Sequence, residues 1–132
     1  MLKERLDDGR LIVDVNIQAR YRLGEERQLL PYQIYECEVF NDRPLSEQED
    51  AACKELRDKI GHRLLALIPP GSAESKIVSA ALTSDAWKLK GHTEFSFELF
   101  GLIRFRSDLL QSLLEMDSAQ ARLESTLGLL NA

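Results

Sequence analysis

The sequence LIVDVNIQARYRL, residues 11–23, alternates between apolar and polar side chains. Every odd position is apolar, and every even position except Ile12 is polar or charged. A period of two places one set of side chains on the buried face of a strand and the other set in water. The stretch therefore predicts a β-strand over residues 11–23.

A second strand is predicted to pair with the first. The polar sequence GEERQ follows the first strand and opens with a glycine, as hairpin loops commonly do. In the partner strand, residues 29–40, apolar side chains alternate with Glu36 and Glu38. We expect Arg20 and Arg22 to face these two glutamates across the hairpin.

Two helices are predicted to follow this hairpin. Ser46 and Glu49 have the spacing of a capping box, and apolar residues then recur every three or four positions as far as Pro69. The double proline and Gly71 end this helix. A shorter helix is predicted over residues 73–83, with Ser72 as its cap.

The period of two returns from Trp87, and it predicts a second hairpin that ends near Arg106. A leucine-rich helix is predicted over residues 108–130. The element order is then β-β-α-α-β-β-α in a single α+β domain over residues 1–132. Its parts are a hairpin and helix at 11–68, a short helix at 73–83, and a hairpin and helix at 86–130. This order indicates a two-layer sandwich, with a four-stranded, mainly antiparallel sheet and helices packed on one face.

The composition of the chain limits the classes of protein to which it can belong. The chain has 132 residues, 44% of them hydrophobic, and a net charge of −5 with no basic tail. This balance disfavours a duplex-DNA binder. Two cysteines make no disulfide framework. The first ten residues lack the apolar core of a signal peptide, and no apolar run is long enough to cross a bilayer, so we expect a cytoplasmic protein without membrane contact.

No residue pattern predicts catalysis, a bound metal or a cofactor. Cys37, Cys53, His62 and His92 are too irregularly spaced for a zinc site, which brings its ligands in close pairs. No glycine-framed serine or glycine-rich phosphate loop is present. We therefore expect a protein that is not an enzyme. A small enzyme with a site assembled from dispersed residues is kept as an alternative.

The predicted sheet has a polar face on which arginines and aromatic residues meet. The arginines are Arg20, Arg22, Arg104 and Arg106. Open sheets with such a face hold single-stranded nucleic acid by stacking and phosphate contact. Glutamates share the same face, so a single-stranded nucleic-acid-binding accessory factor is the disfavoured alternative.

The last predicted helix carries a coiled-coil-like seam, in which apolar residues alternate at spacings of four and three with one polar member. We predict an interface with a partner or a second copy through this seam and two apolar residues on the polar sheet face: Leu109, Leu113, Met116, Gln120, Leu123, Leu127, Phe100 and Leu102. The same seam also fits a helix that covers its own sheet, and this alternative stays open.

The sequence as a whole favours a non-enzymatic protein-interaction module, adaptor-like or chaperone-like, that forms a homodimer and binds another protein through apolar helix or sheet surface. In size, acidity and element order the chain resembles the small acidic chaperones that escort secreted effector proteins. It also resembles many phage-encoded accessory proteins. These resemblances lie at the level of the fold and imply no site residue.

Overall fold

A computed structural model describes all 132 residues of the chain. The fold is α+β, with six α-helices and two separate antiparallel sheets of two strands each. Residues Met1–Asn41 and Asp42–Ala132 form two compact units. A single domain over residues 1–132 stays a prediction.

The N-terminal unit, residues 1–41, holds both sheets. Strand β1 (Leu2–Arg5) pairs with β2 (Leu11–Val13), and β3 (Tyr21–Gln28) pairs with β4 (Ile34–Val39). Gly9 in the first turn has a φ of 86°, a conformation that glycine adopts without strain. The predicted four-stranded sheet and two-layer sandwich are not confirmed.

The first predicted hairpin has the correct alternation of side chains, but the bounds of its strands are wrong. Tyr21 is opposite Val39 and Arg22 is opposite Glu38, as the alternation predicts. Strand β3 nevertheless runs through the predicted loop to residue 28, and its residues Glu26 and Gln28 pair with Tyr35 and Ile34 of β4. The continuous strand over residues 11–23 is interrupted as well, since residues 14–20 belong to neither sheet.

The C-terminal unit, residues 42–132, is helical. Helix α1 (Glu47–Leu67) begins at a capping box, in which Ser46 Oγ accepts from the Glu49 backbone N–H and the Glu49 side chain bonds to the Ser46 N–H, as predicted. Helix α2 (Ala73–Thr83) matches the predicted short helix and its Ser72 cap. The short helices α3 (Asp85–Lys88) and α4 (His92–Glu98) and a 3-10 turn (Leu99–Gly101) follow.

The second predicted hairpin, within residues 86–106, is wrong. These residues form helices α3 and α4, the 3-10 turn and a loop, and no strand. Phe95 and Leu99 satisfy a period of two, but they are also four residues apart, which places both on one side of a helix. Both are buried in the core with Leu123, and this packing selects the helix.

The single helix predicted over residues 108–130 is also wrong, because two helices replace it. Helix α5 (Ser107–Leu114) ends before Met116, and α6 (Ala119–Asn131) begins at a new cap. Ser118 Oγ accepts from the backbone N–H of Ala121 at 3.2 Å. A serine in this role favours a helix start over a helix interior, so it divides the leucine-rich segment.

The core lies in the C-terminal unit. It is built from one side of α1, with contributions from α2, α4, the 3-10 turn and α6: Cys53, Ile60, Leu64, Val78, Phe95, Leu99, Leu123 and Leu130. In the N-terminal unit no side chain is fully buried. None of the helices is both long and apolar enough to cross a lipid bilayer.

Candidate interaction surface

The predicted leucine seam lies largely against its own chain. Leu113 and Leu123 are buried. The remaining members are partly buried: Leu109, Met116, Gln120, Leu127, Phe100 and Leu102. The break between α5 and α6 also interrupts the helical repeat that a coiled coil requires. This burial favours the alternative in which the seam is internal core.

The four arginines of the predicted nucleic-acid face do not share a sheet. Arg20 and Arg22 both lie over the Phe40 ring, each at 4.5 Å from its centroid. Arg104 and Arg106 lie in the loop that precedes α5, outside any strand. Of the four arginines only Arg22 lies in a strand, so the strands do not form the predicted common face of arginine and aromatic side chains.

A buried polar network that the sequence did not indicate surrounds Arg122 in α6. This arginine has no exposed surface, and its guanidinium makes two hydrogen bonds to the Asp42 carboxylate, one to Ser96 Oγ at 2.8 Å and one to the Met116 carbonyl at 2.9 Å. Its planar group also stacks on Phe97 at 4.0 Å. These contacts offset the free-energy cost of burying the charged guanidinium, so the network has a structural role.

A second polar cluster joins α1 to the start of α4. Arg57 donates to His92 Nδ1 at 3.2 Å and to the carbonyls of Trp87 and Lys90, and His92 Nε2 lies 2.8 Å from Asp50. Since arginine only donates, Nδ1 is the accepting nitrogen and Nε2 donates to the carboxylate.

The electrostatics of this second cluster follow from its position. Hydrogen bonds from Lys54 and then from His92 lower the pKa of Asp50, and burial lowers the pKa of Arg57. Both ring nitrogens of His92 are engaged within the cluster, Nδ1 by Arg57 and Nε2 by Asp50. The cluster therefore fastens two helices together.

No group of three or more histidine, cysteine, aspartate or glutamate side chains is placed to hold a metal ion. An open groove of about 550 Å³ lies on the β3–β4 ribbon, beside Arg22, Glu36 and Cys37.

The exposed apolar side chains of the protein are concentrated in the N-terminal unit. Of eighteen large hydrophobic residues that are exposed, fourteen lie between residues 1 and 39, and the other four are Leu67, Ile77, Leu89 and Leu114. Val15 and Ile17 are 77% and 89% exposed. Soluble proteins seldom expose apolar residues in such a concentration unless another molecule covers them.

The most exposed part of this unit is the linking segment, which we define as residues 14–20, DVNIQAR. It connects β2 to β3 without a turn, bend or helix. Backbone hydrogen bonds hold its two ends, from Asp14 to Met1 and from Phe40 to the Arg20 carbonyl. Val15, Ile17 and Ala19 make no backbone hydrogen bond within the chain. The segment thus presents apolar side chains together with unused backbone groups.

Sequence reasoning found the alternation in this segment but predicted an interface through the leucine seam. The exposure of this segment could not be found from the sequence, because residues 29–40 offer a predicted partner strand of nearly the same length as 11–23. A scan against protein-family models and a search of the curated proteins both found no match for this chain.

Proposed function

We propose that the protein is a non-enzymatic protein-interaction module that holds another polypeptide through the exposed apolar strands of its N-terminal unit. One observation carries this proposal: residues 1–41 contain fourteen exposed large apolar side chains and no buried side chain. A folded unit without a core of its own gains stability when a partner supplies the missing layer.

The energetics support coverage of this surface. An isolated two-stranded ribbon is marginally stable in water, and the N-terminal unit consists of two such ribbons. Burial of one aliphatic side chain such as Ile17 contributes about 2 kcal/mol. A few residues of this kind, covered together, supply the stabilisation that binding requires after its entropic cost.

The linking segment also provides a mode of binding. Extended peptides add to an open sheet edge through backbone hydrogen bonds, and alternate side chains then set specificity. Val15, Ile17 and Ala19 offer backbone donors and acceptors that nothing else in the chain uses. A strand from the bound polypeptide would satisfy these groups and cover the apolar side chains beside them.

The charge of this unit favours a protein as the bound molecule. Residues 1–41 carry eight acidic and six basic side chains. Glu36 and Glu38 lie on the same strand pair as Arg22, so the ribbon has no continuous basic path for a phosphate backbone. A nucleic acid would gain little from such a surface.

Photocrosslinking in the native cells tests the proposal. A benzophenone-bearing amino acid replaces Ile17 in one variant and Ile77, which is 64% exposed in the helical unit, in a matched control. We expect a protein adduct of defined mass from position 17 and none from position 77. Equal yields at the two positions, or an adduct with nucleic acid at position 17, would contradict the proposed function.

A further inference from the structure

We infer that the polypeptide bound by the linking segment is the same segment of a second copy, paired antiparallel about a two-fold axis at Ile17. This inference rests on the proposed function and names its partner. In this register Asn16 of each copy lies opposite Gln18 of the other, and Val15 lies opposite Ala19. On one face of the joined sheet apolar side chains then meet apolar side chains, and on the other face amide side chains meet amide side chains.

The existing hydrogen bonds leave one edge open for this pairing. Asp14 exchanges two backbone hydrogen bonds of 2.8 Å with Met1, and the Arg20 carbonyl accepts from Phe40 at 2.9 Å. Alternate peptide groups of a strand point to the same edge, so if residues 14–20 extend as a regular strand in the dimer, the even positions face the side of Met1 and Phe40 of their own copy. The odd positions then present their N–H and C=O groups at the opposite edge, which a second copy can approach.

The order of charges selects an antiparallel arrangement. The linking segment has its acidic residue, Asp14, at one end and Arg20 at the other. Antiparallel pairing about Ile17 brings each Asp14 beside the Arg20 of the other copy, whereas parallel pairing in register would place like charges together. The attraction acts between charges on the same face of the joined sheet.

Two-fold symmetry makes the pairing self-limiting. Each copy uses the edge of its linking segment once in this pairing, which gives a closed dimer instead of a fibre. The two Ile17 side chains meet at the axis, so one substitution there alters the interface at its centre. The same edge left open would be a site of uncontrolled strand pairing.

Sedimentation measures the association directly. We expect wild-type protein to sediment as a dimer. Ile17→Asp sets two carboxylates against each other at the axis and is expected to weaken self-association by about 100-fold or more. Ile77→Asp introduces the same charge on the helical unit and leaves the dimer intact. A wild type that remains monomeric at every concentration, or an equal loss in both variants, would overturn the inference.

Disulfide formation between introduced cysteines tests the register of the paired segments. In a Cys37→Ser background, which leaves only the buried Cys53, we combine chains that carry Asn16→Cys or Gln18→Cys. The inferred register predicts a disulfide between the two different variants, because they meet across the axis. Preferential pairing of either variant with itself would place the axis at another residue and overturn the inference.

The photocrosslink at position 17 separates this inference from the proposed function. An adduct of twice the chain mass supports both. An adduct with a different protein overturns the pairing of two copies and leaves the proposed function standing. The absence of any adduct at that position overturns both.

Discussion

Replacement of Arg122 by Met is expected to destabilise the helical unit strongly. The side chain of Arg122 has no exposed surface, and the Asp42 side chain it bonds to is only 8% exposed. Methionine fills much of the same volume but donates no hydrogen bond. Asp42 loses two donors, and Ser96 Oγ and the Met116 carbonyl each lose a contact of 2.8 to 2.9 Å.

The magnitude follows from the buried carboxylate. Removal of one partner from a buried ion pair costs about 3–5 kcal/mol, because the other charge stays in a low-dielectric site. A domain of this size has a total stability of about 5–15 kcal/mol, so the variant is expected to lose a large part of it. The melting temperature should fall by about 10 °C or more.

Urea unfolding followed by circular dichroism at 222 nm is the assay. The control is Arg104→Met, since Arg104 is exposed in a loop, and its effect should stay within about 0.5 kcal/mol. Arg122→Lys keeps the positive charge without the two-pronged geometry and should fall between the two. A free energy of unfolding for Arg122→Met within about 1 kcal/mol of wild type would refute the structural role of the network.

Three further predictions concern α1 and the cysteines. Ser46→Ala removes the cap of α1 and should lower the free energy of unfolding by about 1 kcal/mol, measured by urea titration. The lowered pKa of Asp50, caused first by Lys54, stabilises the folded state above the unfolded pKa; this contribution is lost as pH falls through the folded pKa. The stability difference between wild type and Asp50→Asn should therefore shrink from about pH 5 to pH 2 in thermal melts. Burial raises the pKa of the Cys53 thiol, so a disulfide reagent should modify exposed Cys37 quickly and Cys53 at the rate of unfolding.

The parts of the fold that sequence reasoning predicted correctly depend on neighbouring residues. The capping box of Ser46 and Glu49 and the Ser72 cap act within one helical turn, so their residues suffice to identify α1 and α2. The sequence pattern also suffices to show which side chains of β3 and β4 share a face, because side chains alternate along any strand.

The parts that were missed depend on contacts between distant residues. Phe95 and Leu99 fit a strand and a helix equally well, and packing against Leu123 decides between them. The buried arginine network joins residues 80 positions apart in the sequence. Its one local signal is the row of polar residues at a spacing of four, Ser118, Arg122 and Thr126, all of which are buried.

The interface predicted from the sequence and the surface proposed from the structure lie in different parts of the chain. Leucine content drew attention to residues 109–127, which mostly cover their own chain. The alternation over residues 11–23 predicted a strand with a buried face, but the chain supplies no strand opposite residues 14–20. The pairing of a strand within its own chain depends on the length and position of every other strand. A local sequence pattern does not contain this information.

Hydrogen exchange of the linking segment shows whether another polypeptide covers it. The backbone amides of Val15, Ile17 and Ala19 have no acceptor within the chain, so they should exchange as rapidly as those of an unfolded peptide unless another polypeptide covers them. For protein isolated gently from its cells, we predict slow exchange at these three amides. Exchange at the unprotected rate in that material would show that no polypeptide covers the linking segment.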